Sequence, residues 1–133
     1  MTRLIALLLC LAATGTLAEA ADYGCEAVQV LTLPERDSAF EAANMKKSYG
    51  LSVTDDEIVL SSAEDKQSHA STAAFKPTSA DSLDLFGIGT DAQTTLETIA
   101  IARYPDKDAN GELLAVSATL QTAHFVNTWF LRC

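Results

Sequence analysis

LETIAIARY (residues 96–104), PDKDANG (105–111), ELLAVSATL (112–120) and HFVNTWFLRC (124–133) close the chain. The first, third and fourth stretches are rich in Thr, Ile, Val and aromatic residues, the side chains that fit a pleated, half-buried surface. The second ends in Asn110-Gly111. Asn-Gly between two such runs is the strongest short-range hairpin signal, because both residues accept the positive φ that a tight two-residue turn demands. In the final run, period-two alternation sets Phe125, Trp129, Leu131 and Cys133 toward one face and His124, Val126, Thr128, Phe130 and Arg132 toward the other. That places Trp129 beside the terminal cysteine.

Upstream, the same signals recur at shorter length. In residues 83–88, Leu83 and Leu85 share one face and Phe86 and Ile88 the other, with Gly87 and Gly89 marking a bulge, a bend or a close backbone approach. A short run at 73–76 is closed by Pro77. Residues 61–72 are almost wholly polar or small and read as a solvated loop or the start of an exposed strand. Residues 49–61 form a hairpin pattern, Tyr49, Leu51 and Val53 alternating before the turn Thr54-Asp55-Asp56-Glu57 and the run Ile58-Val59-Leu60. Residues 35–47 hold the one plausible helix: Glu35 and Asp37 come early, Lys46 and Lys47 late, and Ala39, Phe40 and Ala43 fall on one side. Residues 23–33 open the series, Val28 and Val30 opposing Leu31 and Leu33, as in a strand buried on both sides or near a barrel seam. Pro34 ends it. About seven short strands separated by turns predict an all-β domain, an antiparallel meander closed into a small barrel or sandwich with one short helix.

The N-terminus has a different character. Arg3 precedes an apolar run over 4–13, and Ala18-Glu19-Ala20 follows, the order of a cleavable export signal. The run is about half the ~20 residues a spanning helix needs. Cys10 lies inside it, behind Leu9, where a lipoprotein signal calls for a small residue. The expectation is a signal peptide over 1–20, a single domain over 21–133, a periplasmic or secreted location and no membrane span after cleavage. Two cysteines then remain, Cys25 and Cys133, and an oxidising compartment permits one intramolecular pairing that would join the termini. Free thiols or an intermolecular bridge are the alternatives. A closed loop of roughly 100 residues is worth up to ~4.7 kcal/mol in the chain-entropy account, against a total stability of ~5–15 kcal/mol.

The formal charge of −9 repels phosphate backbones and anionic headgroups, so nucleic acid is not an expected partner. Asp106, Asp108, Asn110 and Gly111 match the first, third, fifth and sixth positions of a calcium loop, but the twelfth is Ser117 rather than a bidentate Glu. The hairpin reading needs only Asn110-Gly111 and a polar tip, and it is preferred. The two histidines, His69 and His124, stand at no metal-ligand spacing, and no cofactor is expected. No G-x-S-x-G elbow or Ser-x-x-Lys pair occurs; Ser61-Ser62-Ala63-Glu64-Asp65-Lys66 has the wrong spacing. The acids of Asp55-Asp56-Glu57 and Glu64-Asp65 suit solvated turns. Small β-barrels can hold a ligand in the mouth or interior. Phe75, Phe86, Tyr104, Phe125, Trp129 and Phe130 would line such a cavity, although a filled core, the preferred reading, uses the same residues.

The cysteine after the signal, in Tyr23-Gly24-Cys25-Glu26, and the C-terminal Val126-Asn127-Thr128-Trp129-Phe130-Leu131-Arg132-Cys133 give the chain a layout that resembles small exported β-proteins of Gram-negative bacteria. Periplasmic inhibitors of c-type lysozyme share that layout. Their Ser-Gly-x-x-Tyr loop is missing, Ser48-Tyr49-Gly50 having the wrong order, so the resemblance implies architecture and not inhibitory residues. Two functions are expected. One is an interaction module, an inhibitor or accessory factor for an envelope or extracellular protein, using the loop tips 54–57 and 106–111. The alternative is a small-ligand carrier using the barrel interior. A hydrolase built on His124 and a distant carboxylate stands third.

Overall fold

The computed structural model describes residues 20–64, 71–80, 83–89, 95–105 and 112–133. In it the alternating runs become the walls of a closed antiparallel barrel. The strands are β1 (Ala21–Leu33), β2 (Ser48–Val53), β3 (Ile58–Ala63), β4 (Ser71–Ala80), β5 (Leu83–Gly89), β6 (Leu96–Pro105), β7 (Glu112–Gln121) and β8 (Val126–Arg132), with one helix, α1 (Ser38–Asn44), between β1 and β2. Each strand pairs with its neighbours in sequence, and β8 returns to β1. The fold is therefore the barrel form of the two expected architectures, with eight strands where the sequence pattern suggested about seven.

β1 forms the seam. Its first half pairs with β2, from Ala21↔Val53 to Cys25↔Tyr49, and its second half pairs with β8, from Glu26↔Arg132 to Leu33↔Val126. A bulge between Ala27 and Gln29 separates the halves. It shifts the inward face from odd to even residues, so Val28 is 58% exposed while Val30 is 3% exposed. The expectation that Val28 and Val30 share a face fails for that reason: the extra residue of a bulge breaks the period of two. On the outer face of the seam, Glu26 pairs with Arg132, where an exposed ion pair contributes little.

Leu51, Ile58, Ile99, Ile101 and Leu114 are fully buried and meet Phe75, Val116 and Leu131 inside the barrel. Gly87 belongs to this packing. A Cβ there would lie 2.9 Å from Phe75 Cβ, 3.0 Å from Ile99 Cγ2 and 3.1 Å from Ile58 Cδ1, so the close backbone approach allows three larger side chains to fill the space. Pro77, expected to end a strand, instead lies within β4 opposite Gly87. The β3 ladder on β4 reaches only to Phe75, so Pro77 sits where that side of β4 has no partner for the amide it lacks. The hairpin at 49–61 is realised by β2 and β3, with Thr54 N donating to Glu57 O at 2.9 Å across the turn. β6 and β7 pair from Leu96↔Gln121 to Pro105↔Glu112, the hairpin that residues 96–120 predicted.

Cys25 and Cys133 form a disulfide that joins residues 108 apart in sequence. Both pack against the core. Trp129, expected beside the bridge, lies earlier on β8, opposite Val30 of β1 and Ala118 of β7. Reduction, or the double substitution Cys25→Ser and Cys133→Ser, is expected to lower stability by about 2–4 kcal/mol. Thermal and urea unfolding with and without reductant measure this, and an unchanged midpoint would contradict it.

Candidate functional site

The barrel has two unlike ends. At one, the β2–β3 turn follows Val53, and Tyr23, Val53 and Leu85 pack on the core. At the other, here called the mouth, β1 runs into α1, β3 ends and β4 begins, β5 ends and β6 begins, and the turn at 122–125 joins β7 to β8.

α1 is held at the mouth by a polar anchor. Asp37 caps it, accepting from Phe40 N at 2.9 Å. Glu41, 6% exposed, accepts from Thr32 N at 3.0 Å and Thr32 Oγ1 at 2.9 Å, and from both Nε and an Nη of Arg36. Thr32 in turn accepts from Asp37 N at 2.6 Å. The face that α1 turns to the barrel is thus Phe40, Glu41 and Asn44, whereas Ala39 and Ala43, expected on the buried side, are exposed. The helix is also shorter than 35–47. Arg36 holds the Glu41 carboxyl down, from 4.5 to about 2, with the Thr32 bonds adding to the effect and burial opposing it.

Asn44 ties the helix to the strands. Its Oδ1 accepts from Trp129 Nε1 at 3.3 Å, its Nδ2 donates to Phe40 O at 2.9 Å, and its backbone oxygen accepts from the Tyr49 hydroxyl at 2.8 Å. Burial pushes the Tyr49 phenol up, with the Trp129 indole opposing. Phe40 packs edge-on against Trp129, ring centroids 6.1 Å apart.

Inside this frame lies a cavity of about 440 Å³, within the range of small-molecule sites. Phe75 and Ala118 form part of its floor, and Phe40, Tyr49, Phe125 and Trp129 add aromatic wall. Leu60, Ala73 and Leu120 complete the apolar lining. Ser62 and Ser71 bond to each other across β3 and β4 at 2.9 Å. Glu97, Leu120 and Asn127 stand side by side on β6, β7 and β8, since Glu97 is opposite Leu120 and Leu120 opposite Asn127. Glu97 lies flat against Gly89: a Cβ at position 89 would be 2.6 Å from Glu97 Cβ and 2.8 Å from its Oε2. Among the described residues Glu97 forms no ion pair, and Lys47, which follows α1 in sequence, also belongs to the lining.

Of the aromatics expected around a cavity, Phe75, Phe125 and Trp129 line it. Phe86, Tyr104 and Phe130 do not: strand alternation turns them to the outer surface, where Tyr104 is 53% and Phe130 38% exposed. Phe40, Tyr49, Glu97 and Asn127 were not picked out as site residues; the inward alternation of Glu97 with Ile99 and Ile101 was the available signal. His124 is exposed on the 122–125 turn, whose Thr122 hydroxyl accepts from His124 N and Phe125 N at 3.1 Å. Residues 55–57 are exposed on their turn, at the end away from the cavity. Asp106, Asp108, Asn110, Gly111 and His69 lie outside the described residues. Among the described residues no three His, Cys, Asp or Glu side chains converge as metal ligands, and no helix is long and apolar enough to cross a membrane. Compared with protein-family models, curated proteins and solved structures, the chain finds no match.

The anchor of α1 carries a pH dependence. A carboxyl held near 2 in the folded state and near 4.5 when free contributes stability that is complete above about pH 4.5 and is lost as pH falls through about 2. The melting temperature is expected to fall across that window, and Glu41→Gln is expected to flatten this part of the profile while lowering the neutral-pH value. Parallel acid limbs in the two proteins would contradict the assignment.

Proposed function

We propose that the protein is an exported carrier that holds one small, largely apolar molecule in the mouth of its barrel. The observation that carries this reading is the 440 Å³ cavity, set in a frame of α1 and six strands that is already hydrogen-bonded. Eight-stranded barrels are the size at which the interior is either filled by side chains or holds one small ligand. Here Leu51, Ile58, Ile101 and Leu114 fill the half toward the β2–β3 turn, and the cavity lies in the half near α1. An interaction module would be expected to have a filled core and to present its distinctive features outside. The loop tip at 54–57 has no such feature beyond exposed acids.

Export is part of the proposal. The signal-like residues 1–20 support it, and so does a disulfide, which persists in oxidising compartments. A periplasmic or secreted carrier would meet its cargo outside the cytoplasm. The layout shared with small exported β-proteins of Gram-negative bacteria fits this placement.

A ligand burying ~250 Å² of apolar surface gains roughly 6 kcal/mol before the cost of association, which sets expected dissociation constants at roughly 0.1 to 1 mM for simple probes. Trp129 is the chain's single tryptophan and lines the cavity, so its emission reports occupancy. Titration with N-phenyl-1-naphthylamine is expected to quench Trp129 saturably with one site. Ala73→Phe, which puts a ring into the cavity, is expected to weaken the probe by about tenfold or more while leaving the protein folded. Equal binding to both proteins, or no response from Trp129, would sink the carrier reading.

A further inference from the structure

The cavity is not uniformly apolar, and its polar groups differ in how firmly they are placed. Glu97 projects from the inner face of β6, its side chain seated against the bare backbone of Gly89. Asn127 stands beyond Leu120 at the same level, and among the described residues neither side chain has a hydrogen-bond partner. The other polar groups near Trp129 are already engaged: Asn44 with Trp129 and Phe40, Tyr49 with Asn44, Ser62 with Ser71. Lys47 is the one cation in the described lining. It follows α1 on a long flexible stem, the kind of side chain that keeps its ammonium in water while its methylenes cover apolar surface.

We propose that the carried molecule is an amphipathic cation: an amine joined to an aromatic or aliphatic body, its nitrogen between Glu97 and Asn127 and its apolar part against Trp129 and Phe75. This rests on the carrier reading and names the class of cargo for it. Three observations converge. A partnerless carboxylate on an inner wall rewards a positive charge with a charge-assisted hydrogen bond. The lining holds five aromatics, Phe40, Tyr49, Phe75, Phe125 and Trp129, a class of side chain whose π-face attracts cations and not anions. The net charge of −9 raises the local concentration of cations at the surface and lowers that of anions. An anionic cargo would have to overcome all three with Lys47 alone.

The test uses three probes with one body, 4-phenylbutylamine, 4-phenylbutan-1-ol and 4-phenylbutyric acid, titrated at neutral pH by calorimetry and by Trp129 emission. The amine is expected to bind about tenfold or more tightly than the alcohol, with the acid weakest. Glu97→Gln, which keeps the shape beside Gly89, is expected to bring the amine down to the alcohol and leave the alcohol unchanged. Asn127→Asp, which places a second carboxylate beyond Leu120, is expected to raise amine affinity by about threefold or more. It tests the proposal independently if Glu97→Gln folds poorly. If the alcohol binds and the amine binds no better, or the acid binds best, the cation assignment is overturned while the carrier stands. If the amine preference survives Glu97→Gln, the assignment is also overturned, because the general acidic field and not this carboxylate would be responsible. If none of the three probes binds, the carrier reading falls and takes this inference with it.

Discussion

A meander of strands has two edges, and each edge exposes a row of unpaired amides and carbonyls. Here both are removed by one strand, because β1 is 13 residues long and divides itself between β2 and β8. The bulge at Ala27 and Gln29 makes the division workable: it lets the strand turn at the seam and re-aim its side chains as it leaves one partner for the other. Closure then decides much else. Register across the seam sets Glu26 opposite Arg132, which brings the next residues outward, Cys25 and Cys133, within bonding reach. The disulfide therefore locks a contact that the hydrogen-bond ladder has already made. The same strand delivers Thr32 to the mouth with its side chain inward, where it becomes the anchor for Glu41 and so for α1.

The emptiness of the mouth has a simple origin in side-chain volume. Below, Leu51, Ile58, Ile99, Ile101 and Leu114 face inward and meet, and Gly87 leaves space for them. Toward α1 the inward positions on facing strands become Ser62, Ser71, Ala73, Ala118 and Gly89, none of which can reach the axis. Large residues do occur at this level, but Phe40 and Trp129 are held at the wall by each other and by Asn44. A wall braced in this way cannot collapse to fill the gap, so the volume persists at the cost of the contacts that a filled interior would make.

Much of this architecture was legible in the alternation of residues. Tyr49, Leu51 and Val53, the β6–β7 pair and the terminal strand announced themselves through a period of two, and the cysteine pair followed from their count and the expectation of an oxidising compartment. What was hidden depends on events that the period does not record. A bulge leaves no mark in composition, so Val28 was assigned the wrong face. Pro77 reads as a strand end unless one knows that β3 stops pairing at Phe75. The helix shows in its charge order and in Ala39, Phe40 and Ala43 on one side, yet the residues it buries are Glu41 and Asn44, and a buried Glu41 makes sense only once Thr32 and Arg36 are seen to surround it. The aromatics were sorted by hydrophobicity when what matters is parity along each strand. Phe75 and Trp129 have inward parity, whereas Phe86, Tyr104 and Phe130 have outward parity, and large apolar residues on the outside of a domain are common enough to carry no warning.

Glu97 depends on the same alternation and the same small neighbours. Its parity is that of Ile99 and Ile101, so the barrel places a carboxylate where the two residues after it on the same face are part of the core. An ionised group deep among those side chains would be strongly disfavoured without a partner. Two features make the position tenable: Glu97 is only half-buried, and Gly89 beside it has no side chain to contest the space. Replacing Gly89 by any larger residue would push Glu97 toward the axis or out of the barrel. The pair thus acts as a unit, with the glycine fixing where the charge lies and the small residues of the mouth fixing the room in front of it. A solvated acid would need no such arrangement, since the exposed turn at 54–57 supplies that environment without any cleared neighbour. The negative charge at Glu97 is held on the inner wall by the same alternation and small-residue packing that leave the mouth unfilled.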